Sequence, residues 1–403
     1  MVLKNTEELS DRVNRIVRHS CCNCIGDNCL LLDDGTVNYY LDPNDSTLKE
    51  DGETVAVLDG TDGQVMVEIP EHYRKIEIEG NKQRVKLSQY PLNGFTRVPT
   101  MYISAFEAAL DRTNSKLASV VNTTTQYRGG NNTSSWDGTY RSLIGKPATS
   151  ITLTIFRTYA RNRGTNWACQ DVNVYTEMWL LYLVEYANRN CQLAYNPNLD
   201  ANGYRQGGLG DGVTTAATTA WNNYNGYNPM IPCGTTLSLG NNTGVVSYPV
   251  PNATEGSVFA TFSVPSYRGV ENPFGHIWKW TDGILVNIAA SGTSDVYVCD
   301  DPTKYASSLT ADYNKVGEEA RTSNYTQNVI FPYPIANQVG GSSATGYCDY
   351  HYTSIPSSGS SLRGVYWGGR ASTGAGAGFA CAGSDDAPSI TYATLGSRLC
   401  YRA

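Results

Sequence analysis

The densest group of side chains that could bind a metal lies near the start of the chain. The segment HSCCNCIGDNC places four cysteines after His19, namely Cys21, Cys22, Cys24 and Cys29. Thiolates and imidazoles are preferred zinc ligands, but structural zinc sites usually repeat a paired C-x2-C unit at a distance. This segment has no second pair of that kind. We therefore expect a turn that contains thiols, with zinc binding as the alternative.

The other cysteines and histidines are scattered, without the spacing of a catalytic or metal site. The later cysteines are Cys169, Cys191, Cys233, Cys299, Cys348, Cys381 and Cys400, and the remaining histidines are His72, His276 and His351. Isolated cysteines in a reducing compartment usually act as small buried hydrophobes. No serine lies in a nucleophile elbow, and Glu177 and Glu185 have no partner in the sequence that supports catalysis. We therefore predict no catalytic residue, no metal and no cofactor.

The composition indicates a lightly charged protein rich in β structure. Of the 403 residues, 40% are hydrophobic and 17% are charged, and tyrosine (28) and glycine (39) are abundant. Tyrosine favours strands, and glycine favours turns. The net charge is −7 and no block of lysine or arginine stands out, which argues against nucleic-acid binding.

The sequence contains no segment that predicts membrane insertion or secretion. It has no run of about 18 apolar residues, the length that a membrane-spanning helix requires. The first residues, MVLKNTEELSDRVNRIVRHS, lack the apolar core of a secretory signal. We therefore expect synthesis in the cytoplasm without a signal peptide, and no membrane insertion.

Residues 1–95 predict a short helix followed by a small β domain. Thr6–His19 carries apolar residues at helical spacing. The strand-like runs VNYYL, VAVL, VMVEI and KIEIE then alternate with Asp-Gly turns, which are hairpin signals. The acidic turns lack the ligand order of an EF-hand, so turn chemistry explains them better than calcium binding does.

Residues 96–345 predict two helices and a long insertion. Tyr102–Ile103 is expected to be a strand, and Ser104 is expected to cap a helix that ends at about Leu117. The segment DVNVYTEMWLLYLVEYANRNC predicts a second helix, capped by Asp171 or Asn173, with a broad apolar face. Between them, RSLIGKPATSITLTIFRTYARNRG is interpreted as loop, strand and basic turn. The segment at about 192–265 is rich in Asn, Gly and Thr, which favours a loop insertion with a few short strands.

The last stretch, at about 346–403, has the composition of a recognition surface. It combines tyrosine, serine, threonine, glycine and alanine with little charge, and short apolar pieces alternate with glycine-rich pieces. Tyrosine offers a rigid amphipathic surface, and serine and glycine adapt around it. The alternative is an ordinary glycine-rich end of a β domain.

Three short segments stand in a fixed order in the second half of the chain, namely Gly275–Trp280, Arg363–Trp367 and Gly396–Leu399. In that order they resemble the C-type-lectin-like fold of the formylglycine-generating superfamily, although Val365 and Ser397 depart from the family pattern. The resemblance implies an α+β fold, with a C-type-lectin-like domain at 96–403 preceded by a small, mostly β N-terminal domain at 1–95.

The resemblance also bears on catalysis. Oxidase members of the superfamily use a cysteine pair shortly after the Arg-Gly-Gly segment. This chain has only Cys381 in that stretch. We therefore expect no enzyme, with a formylglycine-generating-type oxidase as the alternative.

Two further resemblances point to phage attachment. The segments CDYHYTSIPSSGSSLRGV and LGSRLCY resemble variable proteins of diversity-generating retroelements, a group that includes phage receptor-binding proteins. YLDPNDSTLKEDG followed by LDGTDGQVMVEIPEHYRK resembles a linking module of phage tail fibres. Together they imply a non-enzymatic homotrimer on the phage tail of the virion. It would bind a bacterial surface protein or glycan and contact other virion proteins through residues 1–95; a bacterial surface adhesin is an alternative.

The retroelement resemblance implies a set of diversified, ligand-binding positions. Mutagenesis in these systems acts at adenines, mainly in AAC-type codons. Eleven residues of the last stretch have types that such codons encode after adenines are changed. Together with Tyr366 on the rim, the candidates are Tyr366, Arg370, Ser372, Thr373, Gly376, Cys381, Gly383, Asp385, Asp386, Ile390, Tyr392 and Thr394. Trp278, Trp280 and Trp367 are expected to be scaffold aromatics.

Overall fold

The structure is a computed structural model that describes residues 26–80, 82–193, 198, 201, 207–209, 230–251 and 258–403. The predicted helix Thr6–His19 and the thiols of Cys21, Cys22 and Cys24 lie outside these residues. Within them the chain is mostly β, with two α-helices and a strongly curled sheet. Neither helix has the length and apolar character needed to cross a membrane.

One sheet joins the two ends of the described chain. Its six antiparallel strands, in spatial order, are β10 (Trp167–Cys169), β23 (Leu399–Arg402), β7 (Met101–Ser104), β3 (Gln64–Ile69), β1 (Asn28–Leu31) and β2 (Val37–Tyr40). The register pairs Met66 with Ser104 and Cys400 with Ile103. The domain boundary at residue 95 remains a prediction, and strands from both sides of it pair within this sheet.

A second, nine-stranded sheet carries the C-terminal segments. In spatial order its strands are β16 (Asn314–Glu318), β15 (Ser294–Val298), β14 (Trp278–Ala289), β20 (Ser360–Gly368), β21 (Gly378–Ser384), β19 (Tyr350–Thr353), β17 (Asn324–Val329) and β18 (Ala336–Val339), and β22 (Leu395–Gly396) pairs with β14. The first nine residues of β14 are buried, so both faces of this central strand are covered.

Three smaller sheets and several single turns complete the described elements. The strands are β4 (His72–Glu79), β5 (Lys82–Ser88) and β6 (Thr96–Val98); β8 (Ala109–Asp111) and β9 (Lys116–Ala118); and β11 (Gly244–Pro251), β12 (Val258–Tyr267) and β13 (Val270–Glu271). Short 3-10 turns lie at Thr125–Tyr127, Ser134–Trp136, Leu237–Leu239, Pro302–Lys304 and Gly374–Gly376. The sequence predicted a few short strands in the insertion at about 192–265. Its described part contains β11 and most of β12, which pair with each other in antiparallel orientation.

The longer helix, α2 (Val172–Tyr186), confirms the sequence prediction. The carboxylate of Asp171 accepts hydrogen bonds from the backbone N–H groups of Asn173 and Val174, at 2.7 and 3.1 Å, which satisfies donors that a helix start leaves unpaired. Tyr175 stacks on Trp367 with ring centroids 4.9 Å apart, so the helix packs directly on β20.

The prediction of a helix from Ser104 to Leu117 is wrong. The strand expected at Tyr102 and Ile103 is present as part of β7, but the residues after Ser104 lead into the β8–β9 hairpin instead of a helix. Residues 101–111 are all buried, and a segment without a polar face has no periodicity that separates a strand from a helix. Asp111 accepts a hydrogen bond of 3.0 Å from the backbone N–H of Asn114, which sets the turn of this hairpin.

The first helix, α1 (Leu153–Arg161), lies where a strand and a basic turn were expected. The hydroxyl of Thr152 accepts a hydrogen bond of 3.2 Å from the backbone N–H of Ile155 and caps the helix. The run of β-branched residues in ITLTI suggests a strand, but burial of Leu153 and Phe156 against the core favours the helix.

Candidate ligand-binding site

The three segments that carry the lectin-like resemblance meet in the nine-stranded sheet. Trp280 of β14 pairs with Tyr366 of β20, and Trp278 pairs in parallel with Leu395 of β22. Segments separated by more than 80 residues in sequence are therefore adjacent. Their meeting point is the base of the candidate site.

A buried arginine fixes the turn after β22. Arg398 is fully buried and donates hydrogen bonds to the backbone oxygens of Ser104 and Asn272, at 3.0 and 2.7 Å, and to that of Glu271. A guanidinium carries five N–H donors in a rigid fork, so one side chain can hold several carbonyl groups in place. The final strands are thereby tied to β7 and β13.

A buried ionic cluster lies at the start of β14. The Nζ of Lys279 is 2.8 Å from Oε1 of Glu107, and Nδ1 of His276 contacts Oε2 of the same carboxylate. The Nε2 atom of His276 accepts a hydrogen bond of 3.0 Å from the backbone N–H of Ile231. These side chains all carry partners within the protein, so we interpret them as structural support for β14.

A cavity of about 300 Å³ opens above this base. Its lining residues come from β14, β19, β20, β22 and the chain between β20 and β22; they are Trp278, Tyr352, Tyr366, Arg370, Thr373, Asp385, Asp386, Tyr392, Thr394 and Leu395. We call this cavity the Tyr366 pocket. Seven of the twelve candidate positions line it.

Aromatic rings form one wall of the Tyr366 pocket. The ring of Trp278 meets those of Tyr366 and Tyr352 edge to face, with centroids 4.9 and 5.6 Å apart. Trp280 supports Tyr366 from behind at 5.2 Å. Edge-to-face contacts of this kind add to the stabilisation that burial gives, so this wall is held rigidly. The expected scaffold role of Trp280 fits its burial, whereas Trp278 also faces the pocket.

Two carboxylates and two tyrosine hydroxyls form the opposite, polar side. The hydroxyl of Tyr366 lies within hydrogen-bond distance of both Asp385 and Asp386, and that of Tyr392 donates a bond of 3.1 Å to Asp386. Burial and the neighbouring Asp385 raise the pKa of Tyr366, and burial and Asp386 raise the pKa of Tyr392. Both hydroxyls therefore remain protonated donors at neutral pH.

A single cation lies among the lining residues. Arg370 is exposed, and its guanidinium reaches to 3.5 Å from the hydroxyl of Thr394. Thr373 accepts a hydrogen bond of 2.9 Å from the backbone N–H of Arg370. The pocket thus offers two carboxylates, one guanidinium and several hydroxyl groups, a set suited to binding through hydrogen bonds.

Five candidate positions lie outside the lining. Ser372 and Ile390 are partly exposed, whereas Gly376, Cys381 and Gly383 are buried. A Cβ atom at Gly383 would overlap the ring of Tyr366. Cys381 is fully buried in β21, and burial raises the pKa of its thiol. The side chains at these buried positions do not reach the surface.

Three lining residues were missed by sequence reasoning as ligand contacts. Trp278 was assigned to the scaffold, and Leu395, in the segment LGSRLCY, was given no role. Tyr350 and Tyr352 flank the buried His351 in β19, and this period of two, which puts both tyrosines on one face, was the available signal. Within the described residues no group of histidine, cysteine and carboxylate side chains is arranged to hold a metal, and Cys29 is buried in β1.

Comparison with known proteins gives little further information. No protein-family model and no curated protein matches the chain. Two solved structures, the Major Tropism Determinant U1 and M1 variants, are 10% identical to it, with TM-scores of 0.24 and 0.25; both alignments cover 86% of this chain and 73% of that chain. Similarity at this level carries no argument about fold or function.

Proposed function

We propose that this chain is a non-enzymatic receptor-binding protein that uses the Tyr366 pocket to attach to a bacterial surface ligand. One observation carries the proposal. Seven residues chosen from sequence as diversified contacts, spread from Tyr366 to Thr394, line a single pocket. Residues that vary to change a binding specificity must lie where one ligand can contact them, and these seven border one cavity, although Tyr366 and Thr394 are themselves largely buried.

The arrangement of the pocket supports this use. Its aromatic wall rests on paired strands, while Arg370, Asp386 and Tyr392 lie at exposed or half-exposed positions of the connecting chain. A rigid scaffold that carries variable connections can change its ligand without loss of its core. Substitutions at these three positions would alter the pocket and leave the sheet in place.

The alternative of an oxidase is not supported by the site. The thiolate is the reactive form of cysteine, and burial of Cys381 raises its pKa well above the ordinary value. We therefore assign binding and not catalysis to this surface.

The remaining features of the proposal come from the resemblance to phage proteins. We place the protein on a phage tail as a homotrimer, with residues 1–95 contacting other virion proteins. Several copies on one particle raise the overall avidity without any new contact. Multivalency of this kind would compensate for the weak binding that one small pocket provides. A bacterial surface adhesin with the same pocket is the second candidate.

Attachment to cells tests the proposal. Fluorescently labelled full chain is incubated with a panel of bacterial strains, and bound protein is measured by flow cytometry. We expect Tyr392→Ala to reduce binding to the positive strains at least tenfold. The control Tyr90→Ala changes a tyrosine that is 71% exposed and does not line the pocket, so binding should be unchanged. Equal binding by both variants and the native chain would refute the proposal.

A further inference from the structure

We infer that the Tyr366 pocket binds one neutral pyranose residue of a surface glycan. This inference rests on the proposed receptor-binding function and specifies its ligand. Three properties of the pocket lead to it: its aromatic wall, its pairs of hydrogen-bonding groups and its balance of charge.

The aromatic wall matches the apolar face of a sugar ring. Four of the ten lining residues are aromatic: Trp278, Tyr352, Tyr366 and Tyr392. The planes of Trp278 and Tyr352 are 89° apart, so these rings form a corner rather than a flat surface. A pyranose has C–H groups along its faces, and such a corner can cover two of its sides while the hydroxyl groups point elsewhere.

The polar side matches the hydroxyl groups of a sugar. Asp386 accepts from Tyr366 through one oxygen and from Tyr392 through the other. A carboxylate has about four acceptor positions, so free positions remain for ligand hydroxyls. Hydrogen bonds to an ionised acceptor are among the stronger ones. Arg370 and the threonine hydroxyls supply donors on the other side.

The charge of the pocket favours an uncharged ligand. Two carboxylates, Asp385 and Asp386, outnumber the single guanidinium of Arg370, which disfavours a sugar acid or a phosphate. The guanidinium of Arg370 lines the same cavity as these carboxylates, so groups of both signs are present. Such a mixed set suits sugar hydroxyl groups, which both donate and accept hydrogen bonds.

The size of the pocket limits the ligand to about one sugar residue. Its volume of about 300 Å³ is at the lower end of the range for small-molecule sites. A single residue held by a few hydrogen bonds and one apolar face should bind with a dissociation constant on the order of 1 mM. Several copies on one particle would then supply the affinity needed for attachment.

Saturation-transfer NMR with the purified full chain tests the inference. The probes are glucose, galactose, mannose and N-acetylglucosamine, with glucuronic acid, N-acetylneuraminic acid and glucosamine as charged comparators. We expect saturable transfer from at least one neutral sugar and none from the charged ones. Asp386→Asn should weaken that binding about tenfold, a loss of about 1.4 kcal/mol. Tyr90→Ala should leave it unchanged.

Treatment of the receptor-bearing cells separates this inference from the broader proposal. Periodate cleaves vicinal diols of glycans, whereas protease removes surface proteins. Loss of attachment after periodate, and not after protease, supports a glycan. Loss after protease only, or no saturable transfer from any neutral sugar, overturns the inference. If Tyr392→Ala still lowers attachment in that case, the receptor-binding proposal stands with a protein ligand.

Discussion

The hydroxyl of Tyr392 donates a hydrogen bond of 3.1 Å to the carboxylate of Asp386, six residues earlier in the chain. Both residues lie in the connection between β21 and β22, so this contact braces the connection internally. The same carboxylate accepts from Tyr366, so a side chain of the connection is joined to the wall carried by β20. The loop and the sheet therefore define the pocket together.

Gly383 is predicted to be intolerant of even a methyl group. In Gly383→Ala the new Cβ would overlap the ring of Tyr366, which is itself packed against Trp280. Forcing extra volume into a packed region typically costs about 1–3 kcal/mol. Thermal unfolding should show a lower Tm for this variant and a loss of attachment.

Gly244→Ala is the matched control for that measurement. A Cβ at Gly244 would meet Leu239 at ordinary contact distances of 3.5 and 3.7 Å, so little change in Tm is expected. If Gly383→Ala were as stable as this control, the pocket wall would be more adaptable than the packing indicates. Gly383 would then be a usable diversified position.

Arg398 should be needed for its guanidinium and not only for its charge. Arg398→Lys keeps the charge but cannot reach the backbone oxygens of Ser104 and Asn272 in the same geometry. Each buried acceptor that is left without a donor costs about 1–3 kcal/mol of folding free energy. We expect the free energy of unfolding, measured with urea, to fall by roughly that amount.

The corresponding surface substitution provides the comparison. Arg84→Lys alters an exposed ion pair with Glu79, and pairs of this kind contribute about 0–1 kcal/mol. Its unfolding curve should therefore nearly superimpose on that of the native chain. Similar losses for both variants would contradict the role assigned to Arg398.

Glu319 should make stability depend on pH. Burial raises the pKa of this carboxyl to about 8, and it accepts hydrogen bonds from Thr353 and Ser384, at 2.9 and 2.8 Å. The folded chain keeps a proton that the unfolded chain releases above the ordinary carboxyl pKa. The stabilisation from this proton is therefore complete in acid and is lost as pH rises towards 8, by an amount on the order of a few kcal/mol.

Glu319→Gln removes this dependence because the amide cannot titrate. We expect the native chain to lose more stability than the variant between about pH 5 and about pH 8, as measured by urea unfolding. Burial lowers the pKa of His351, which lies next to Glu319, to about 4. The unfolded chain therefore takes up a proton on His351 before the folded chain does, and as the pH falls this destabilises the native chain and the variant equally. Identical pH profiles would show that Glu319 is not held protonated.

Local signals allowed part of the fold to be predicted. The cap at Asp171 and the apolar run after it lie within a few residues of one another, so α2 could be predicted from sequence. The β8–β9 hairpin that takes the place of the expected helix after Ser104 could not, because residues 101–111 are all buried. Periodicity does not distinguish a fully buried strand from a helix when no polar face is present.

The candidate site was predictable to a similar extent. Residues of the two connections, such as Arg370 before β21 and Tyr392 after it, could be chosen by their residue types, and they do line the pocket. Cys381 and Gly383 could not be separated from them, because all seven residues of β21 are buried and alternation gives no sign of an exposed face. Tyr352 reaches the pocket only through the order of strands in the sheet, which the sequence does not reveal.

The most direct test of the account is the apparent dissociation constant of the labelled full chain for receptor-bearing cells. The comparison is between Asp386→Ala, which removes the carboxylate shared by Tyr366 and Tyr392, and Asp312→Ala, which removes an exposed carboxylate that does not line the pocket. We predict at least about tenfold weaker binding for Asp386→Ala, equivalent to about 1.4 kcal/mol, and no change for Asp312→Ala. Equal constants for the two variants, with both chains folded, would contradict the assignment of the Tyr366 pocket as the attachment site.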